Sequence, residues 1–135
     1  MRLWHTSLIR VLPKAQLVAQ WRELSAIAGA IQKKGTPNHI LVNFVLNYSW
    51  NHFISYAYYV RQEMTKRGYR TMDSVWNKIV SLKPEWKLIA LNEIYSHKMT
   101  DFYLQICYYN LAEKNWCGGI KEEDWQKISS KVLFD

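Results

Sequence analysis

Carboxylates are nearly missing from the first 62 residues of this chain. Glu23, in the stretch WRELSAIAGAI, is the only one there, against seven Lys and Arg. Cysteine is scarce as well: Cys107 and Cys117 are too few for a disulfide framework, and with no signal peptide ahead of them the expected setting is a reducing, cytoplasmic one. Five glycines and three prolines rule out a collagen-like or low-complexity chain. No apolar run approaches the roughly 20 residues that a membrane-spanning helix needs. His5, His39, His52 and His97 are scattered, with no H-x-x-x-H or C-x-x-C spacing, so neither a metal nor another cofactor is expected.

What is present is a globular composition with much aromatic character. Of 135 residues 49% are hydrophobic, and seven are Trp and nine Tyr. That is enough to bury a core without staples, and one domain over residues 1–135, monomeric, is the expectation. The net charge of +7 is unevenly spread: residues 1–70 hold ten Lys/Arg against two acids, net +8, while residues 71–135 hold eight against nine, net −1. The amino-terminal half is therefore the candidate surface for a polyanion, because clustered cations release condensed counterions when they neutralise phosphates. A solvated basic face is the alternative.

Hydrophobic periodicity predicts an all-α chain of three principal helices plus short ones. Pro13 suits a first turn. From Lys14 to about Gln32, Leu17, Trp21, Leu24, Ala28 and Ile31 recur at steps of three and four, and Gly35 and Pro37 end the run. Residues 38–48 read either as a short extended segment or as the front of the next helix. Ser49 caps a second helix that stops at Gly68, with Lys66 and Arg67 in its last turn. Asp73 caps a short helix over residues 74–82, closed by Pro84. Ser96 or Thr100 starts a third long helix, DFYLQICYYNLAEK, stopped at Cys117-Gly118-Gly119, and EEDWQKISS forms a last short one.

The opening MRLWHTSLIRVLPKAQLVAQWRELSAIAGAI resembles the start of the pyrimidine-dimer DNA glycosylase (endonuclease V) family. Trp21, Arg22, Glu23 and Leu24 match its aromatic-R-E-L motif about twenty residues from the start, Gly29 and Ala30 its small-residue pair, and KRGY at residues 66–69 closes the second helix. The likeness covers roughly the first 80 residues. It implies an endonuclease-V-like fold and a chain that acts on damaged double-stranded DNA. The terminal α-amine would attack the sugar C1′ of a damaged nucleotide, an imine would replace the glycosidic bond, and β-elimination would nick the strand. General chemistry supports this, since an α-amine titrates about two to three units below lysine and is partly a free nucleophile at neutral pH. In the same resemblance Glu23 is the acid/base and stabilises the cationic sugar and imine, and Arg22 is a phosphate or flipped-nucleotide contact.

The sequence departs from the family's pattern in two ways. Position 2 is Arg, which initiator-methionine removal usually rejects. Either Met1 supplies the amine, displaced by one residue, or processing exposes Arg2, or the lyase activity is absent. Family cations are also replaced, by Leu3, by Ala26 and, on the third long helix, near Cys107 and Leu111. DNA contacts would then come from Arg2, Arg10, Lys14, Arg22, Lys33 and Lys34. Trp4 and His5, close to the nucleophile, are candidate pocket walls. Trp4, Trp50, Tyr56, Tyr58 and Tyr59 have the chemistry to stack on unpaired bases, though at helical spacing such residues are more often core. The competing reading is a non-catalytic helical module that binds nucleic acid or a protein.

Overall fold

The computed structural model of the chain describes residues 1–134. Five α-helices and three 3-10 turns follow an extended amino-terminal segment, and among the described residues there is no strand. The helices are α1 (Lys14–Lys34), α2 (Trp50–Lys66), α3 (Asp73–Val80), α4 (Asp101–Trp116) and α5 (Glu122–Phe134). No described helix is long and apolar enough to cross a membrane.

The three long helices begin and end where local chemistry puts them. Pro13 stands just ahead of α1 as its N-cap rather than inside its first turn, and Gly35 takes φ 76, the left-handed value that lets its N–H close back onto the Ile31 carbonyl. The Ser49 hydroxyl accepts the Asn51 N–H to open α2, and Thr100, not Ser96, accepts the Tyr103 N–H to open α4. Along α1 the stripe of Leu17, Trp21, Leu24, Ile27, Ala28 and Ile31 is buried, facing Phe53, Ile54, Ala57, Val60 and Met64 of α2 in one core. Each such large side chain contributes about 1.5–3 kcal/mol by leaving water. Cys107 and Leu111 of α4 and Ile128 of α5 complete that core.

Three further boundaries differ from expectation. Residues 38–48 are neither extended nor part of α2. The His39 carbonyl accepts the N–H groups of Val42 and Asn43, the Asn43 side chain accepts the His39 N–H, and a 3-10 turn runs over Asn43–Asn47. Local asparagine bonds of this kind compete with regular structure. Asp73 is the first residue of α3 rather than its cap. Met72 holds the cap position without a side-chain bond, and the Asp73 carboxylate turns to Arg61 at 2.6 Å. The last helix runs on past Ser130, because Val132 packs against the core.

Arg67 ties the end of α2 to the chain entering α1. Its Nε donates to Glu63 at 2.7 Å, and its two terminal nitrogens donate to the carbonyls of Leu12 (2.7 Å) and Arg10 (3.1 Å). Gly68, at φ 81, then lets the chain turn away.

Candidate active site

The site begins with a polar residue where α1 should be apolar. Gln20 lies between Leu17 and Leu24 on the buried stripe and is fully buried. Its amide stands in for a neighbouring strand: Nε2 donates to the Arg2 carbonyl at 2.9 Å and Oε1 accepts the Trp4 N–H at 2.8 Å. Tyr56 of α2 directs its single hydroxyl hydrogen at the Trp4 carbonyl (2.5 Å), with the Gln20 oxygen at 2.9 Å. Tyr103 of α4 donates to the Leu3 carbonyl at 2.6 Å. Side chains from three helices thus satisfy the backbone of residues 2–4, which would otherwise be buried unpaired at a cost of about 1–3 kcal/mol per group. Burial pushes the Tyr56 and Tyr103 phenols far above their ordinary value, so both remain donors.

One helical turn beyond Gln20 on the same side of α1 is Glu23. Its half-buried carboxylate accepts the Arg2 backbone N–H at 3.3 Å. Among the described residues no cation, the Met1 amine included, comes within 4.0 Å of its oxygens. The Arg2 guanidinium lies 5.7 Å from the centre of the Trp4 ring. It also acts on Tyr103 and Cys107, where burial raises the phenol and the thiol and the guanidinium opposes the rise.

The other residues singled out in the sequence fall into three places. Trp4 (7% exposed) belongs to the core, and so does Tyr56, whereas Trp50, Tyr58 and Tyr59 are half-buried. His5 (8% exposed) caps the 3-10 turn Thr6–Leu8, its Nδ1 accepting the Ser7 N–H at 3.1 Å and lying 2.8 Å from the Ser7 hydroxyl. Desolvation lowers its pKa against the opposing pull of the Met99 backbone, Asp101 and Thr100. Arg22, Lys33 and Lys34 are exposed on α1. Eleven residues make about three helical turns, so Lys33 falls in line with Arg22, and Lys34 with Glu23, roughly 16 Å along the axis. Arg10 and Lys14 stand apart from this set. They line a cleft of mixed charge with Lys66, Arg67, Lys121 and Glu123, and Lys14 lies over the Tyr69 ring at 5.1 Å.

Sequence reasoning missed Gln20 and Tyr103, and it missed Lys78, whose ammonium crosses from α3 to the Ser25 hydroxyl at 2.7 Å and lies 3.7 Å from where a Cβ on Gly29 would stand. Gln20 alone left a signal, a polar residue inside an apolar stripe three positions before Glu23. Leu3, Cys107 and Leu111, at or near which the resemblance would place further cations, are fully buried, while Ala26 is exposed. Among the described residues no group of three His, Cys, Asp or Glu could hold a metal ion.

No curated protein and no solved structure matches the chain. The family model described as pyrimidine dimer DNA glycosylase matches residues 1–77. That is more than half of the 135 residues, running from the tethered segment through Glu23 and α2 into α3, and the chain therefore belongs to the pyrimidine dimer DNA glycosylase family.

Proposed function

We propose that the chain repairs DNA as a glycosylase and AP lyase, using an amino-terminal amine as nucleophile and Glu23 as acid/base on pyrimidine dimers or a related base lesion. One observation carries this reading: the backbone nitrogen of residue 2 donates to the Glu23 carboxylate at 3.3 Å, slightly longer than the roughly 2.6–3.2 Å of a working general base, as is common without substrate. The amine attacks C1′, the C1′–N bond to the base breaks, and the sugar ring opens to leave an imine. The carboxylate accepts the amine's proton and offsets positive charge on the sugar as it develops. β-Elimination then removes a proton from C2′ and breaks the C3′–O bond, so the downstream strand leaves with its 5′ phosphate and the imine is conjugated to a new C2′–C3′ double bond.

The same distance bears on which amine reacts. While Met1 is attached, the nitrogen at Glu23 is an amide and cannot attack. Removal of Met1 would turn that nitrogen into a free amine without moving it, so the α-amine of Arg2 is the proposed nucleophile. Phosphates are proposed to meet the exposed cations of α1, Arg22, Lys33 and Lys34, with Lys78 beside them.

Untagged protein incubated with DNA carrying an abasic site or a dimer, then treated with borohydride, is expected to yield a covalent adduct. Mass spectrometry should locate it on residue 2. A folded sample that forms no adduct overturns the proposal. The second reading, a DNA-binding module without catalysis, is favoured by one feature, the arginine directly after Met1. Its signature is salt-sensitive binding with neither adduct nor strand cleavage.

A further inference from the structure

Beyond the segment that the family model matches, α4 is apolar on two opposite sides. Cys107 and Leu111 face the core and are fully buried. On the other side Phe102, Tyr109 and Trp116 recur every seven residues and are 73%, 64% and 85% exposed. Residues a heptad apart drift by only about 20° around a helix, so the three rings form one stripe about 21 Å long. The exposed Gln105 and Glu113 and the half-buried Ile106 and Ala112 flank it. A helix that is apolar on all sides is ordinarily covered on all sides. The middle ring is already held in place: Tyr109 leans on Tyr108 at 5.9 Å between ring centres, and Tyr108 stacks on Trp125 of α5 at 5.3 Å. Docking against it therefore orders little that is still free.

The order of side chains along this face fits a second copy of the chain. Laid antiparallel about Tyr109, the face sets Tyr109 against itself and Phe102 against Trp116 of the second copy. Ile106 then meets the small Ala112, and the Glu113 carboxylate meets the Gln105 amide. Each pairing recurs in reverse, as a two-fold interface requires. A parallel pair would instead place Glu113 beside Glu113, at a cost in like-charge repulsion. The area is sufficient as well. A fully covered aromatic side chain buries about 150–250 Å², so the three rings, open as they are, would remove about 350–550 Å² per copy from water. Two copies, with the flanking residues added, reach the roughly 1,000 Å² at which specific interfaces begin. We infer that the chain forms a two-fold dimer through antiparallel contact of α4 with α4 of a second copy, in place of the monomer expected from the sequence. An interface of this size sits at the weak end, with a dissociation constant in the micromolar range. It uses no residue of the amine chemistry and holds whether or not Glu23 is catalytic.

Sedimentation equilibrium of the protein alone across the micromolar range should show monomer and dimer in exchange, and the dimer should persist at high salt because the contact is apolar. Tyr109→Glu, a change at an exposed position, brings two carboxylates face to face and should weaken the dimer about tenfold or more, with the circular dichroism spectrum and melting temperature unchanged. Cross-linking reads the register. Tyr109→Cys combined with Cys117→Ser should form a disulfide-linked dimer on mild oxidation. The unaltered chain, whose Cys117 is exposed, should not, because antiparallel helices hold the two Cys117 residues about 24 Å apart along the axis, far beyond disulfide reach. A monomer at every concentration, a dimer that moderate salt dissolves, or one that Tyr109→Glu leaves intact would overturn the inference. So would ready cross-linking through Cys117, or none through position 109.

Discussion

The basic half of the chain holds two carboxylates, and the structure treats them in opposite ways. Glu63 is buried (8% exposed) and bonded to Arg67 at 2.7 Å, in a cluster that also fastens the carbonyls of Leu12 and Arg10. Glu23 is half-buried, has no arginine or lysine at ion-pair distance among the described residues, and accepts the backbone N–H of Arg2. An acid among cations is ordinarily neutralised by one of them, as Glu63 is. At Glu23 the adjacent Arg22 is exposed to solvent, and the carboxylate accepts the backbone N–H of residue 2, the nitrogen proposed above as the nucleophile. The same residue type in the same electrostatic half is a brace in one region and a candidate reactant in the other.

The sharpest way to break that contrast is to neutralise each acid in turn. Glu23→Gln keeps an oxygen for the Arg2 N–H, so thermal stability should hardly change, while the rate of adduct formation and nicking should fall about 100-fold or more, as for loss of a general acid/base. Wild-type rates in that variant would remove Glu23 from the chemistry. Gln20→Leu should damage both fold and activity. It leaves the Trp4 N–H and the Arg2 carbonyl unpaired in the interior, at an expected cost on the order of 2–4 kcal/mol in urea unfolding, and it frees the segment that carries the amine.

Glu63→Gln should do the reverse of Glu23→Gln, lowering stability by about 1–3 kcal/mol through the lost charged hydrogen bond while activity per folded molecule stays the same. A smaller effect is expected from acidification. His5 and His52 are both lowered from 6.5 by burial, and each accepts a backbone N–H at Nδ1, from Ser7 and Tyr95. The folded state therefore resists protonation that the unfolded chain accepts. Their contribution is fully present above about pH 6.5 and is lost as pH falls through the lowered folded values. Melting curves at pH 7.5 and 5 should show this decline, and it should shrink in His5→Asn. The smallest change belongs to single rim cations: Lys33→Ala should reduce the slope of log affinity against log salt by about one unit for duplex DNA.

The helices were legible because their punctuation is local. Pro13 and Gly35 bracket α1, Ser49 and Gly68 bracket α2, and Thr100 opens α4, each acting within a few residues of the boundary it sets. Glu23 and its neighbours were legible through motif spacing. The grip on the amino-terminal segment was not, since Gln20 meets Trp4 across 16 residues and Tyr103 meets Leu3 across 100, and no periodicity in a linear sequence encodes such pairings. The division of the cations was hidden for the same reason. Arg10 and Lys14 look continuous with Arg22 along the chain, yet they line a separate cleft with α5, and Lys78 joins α1 from a half whose net charge is slightly negative.

The bond from Tyr103 to Leu3 also says something about synthesis on the ribosome. The matched family segment is complete at residue 77, but the phenol that fastens the first residues emerges only with α4. A nascent chain carrying every motif residue would have Gln20 and Tyr56 to hold Arg2 and Trp4 but would still lack the bond at Leu3, so enzymes that trim terminal methionines would meet a beginning that is only partly fastened.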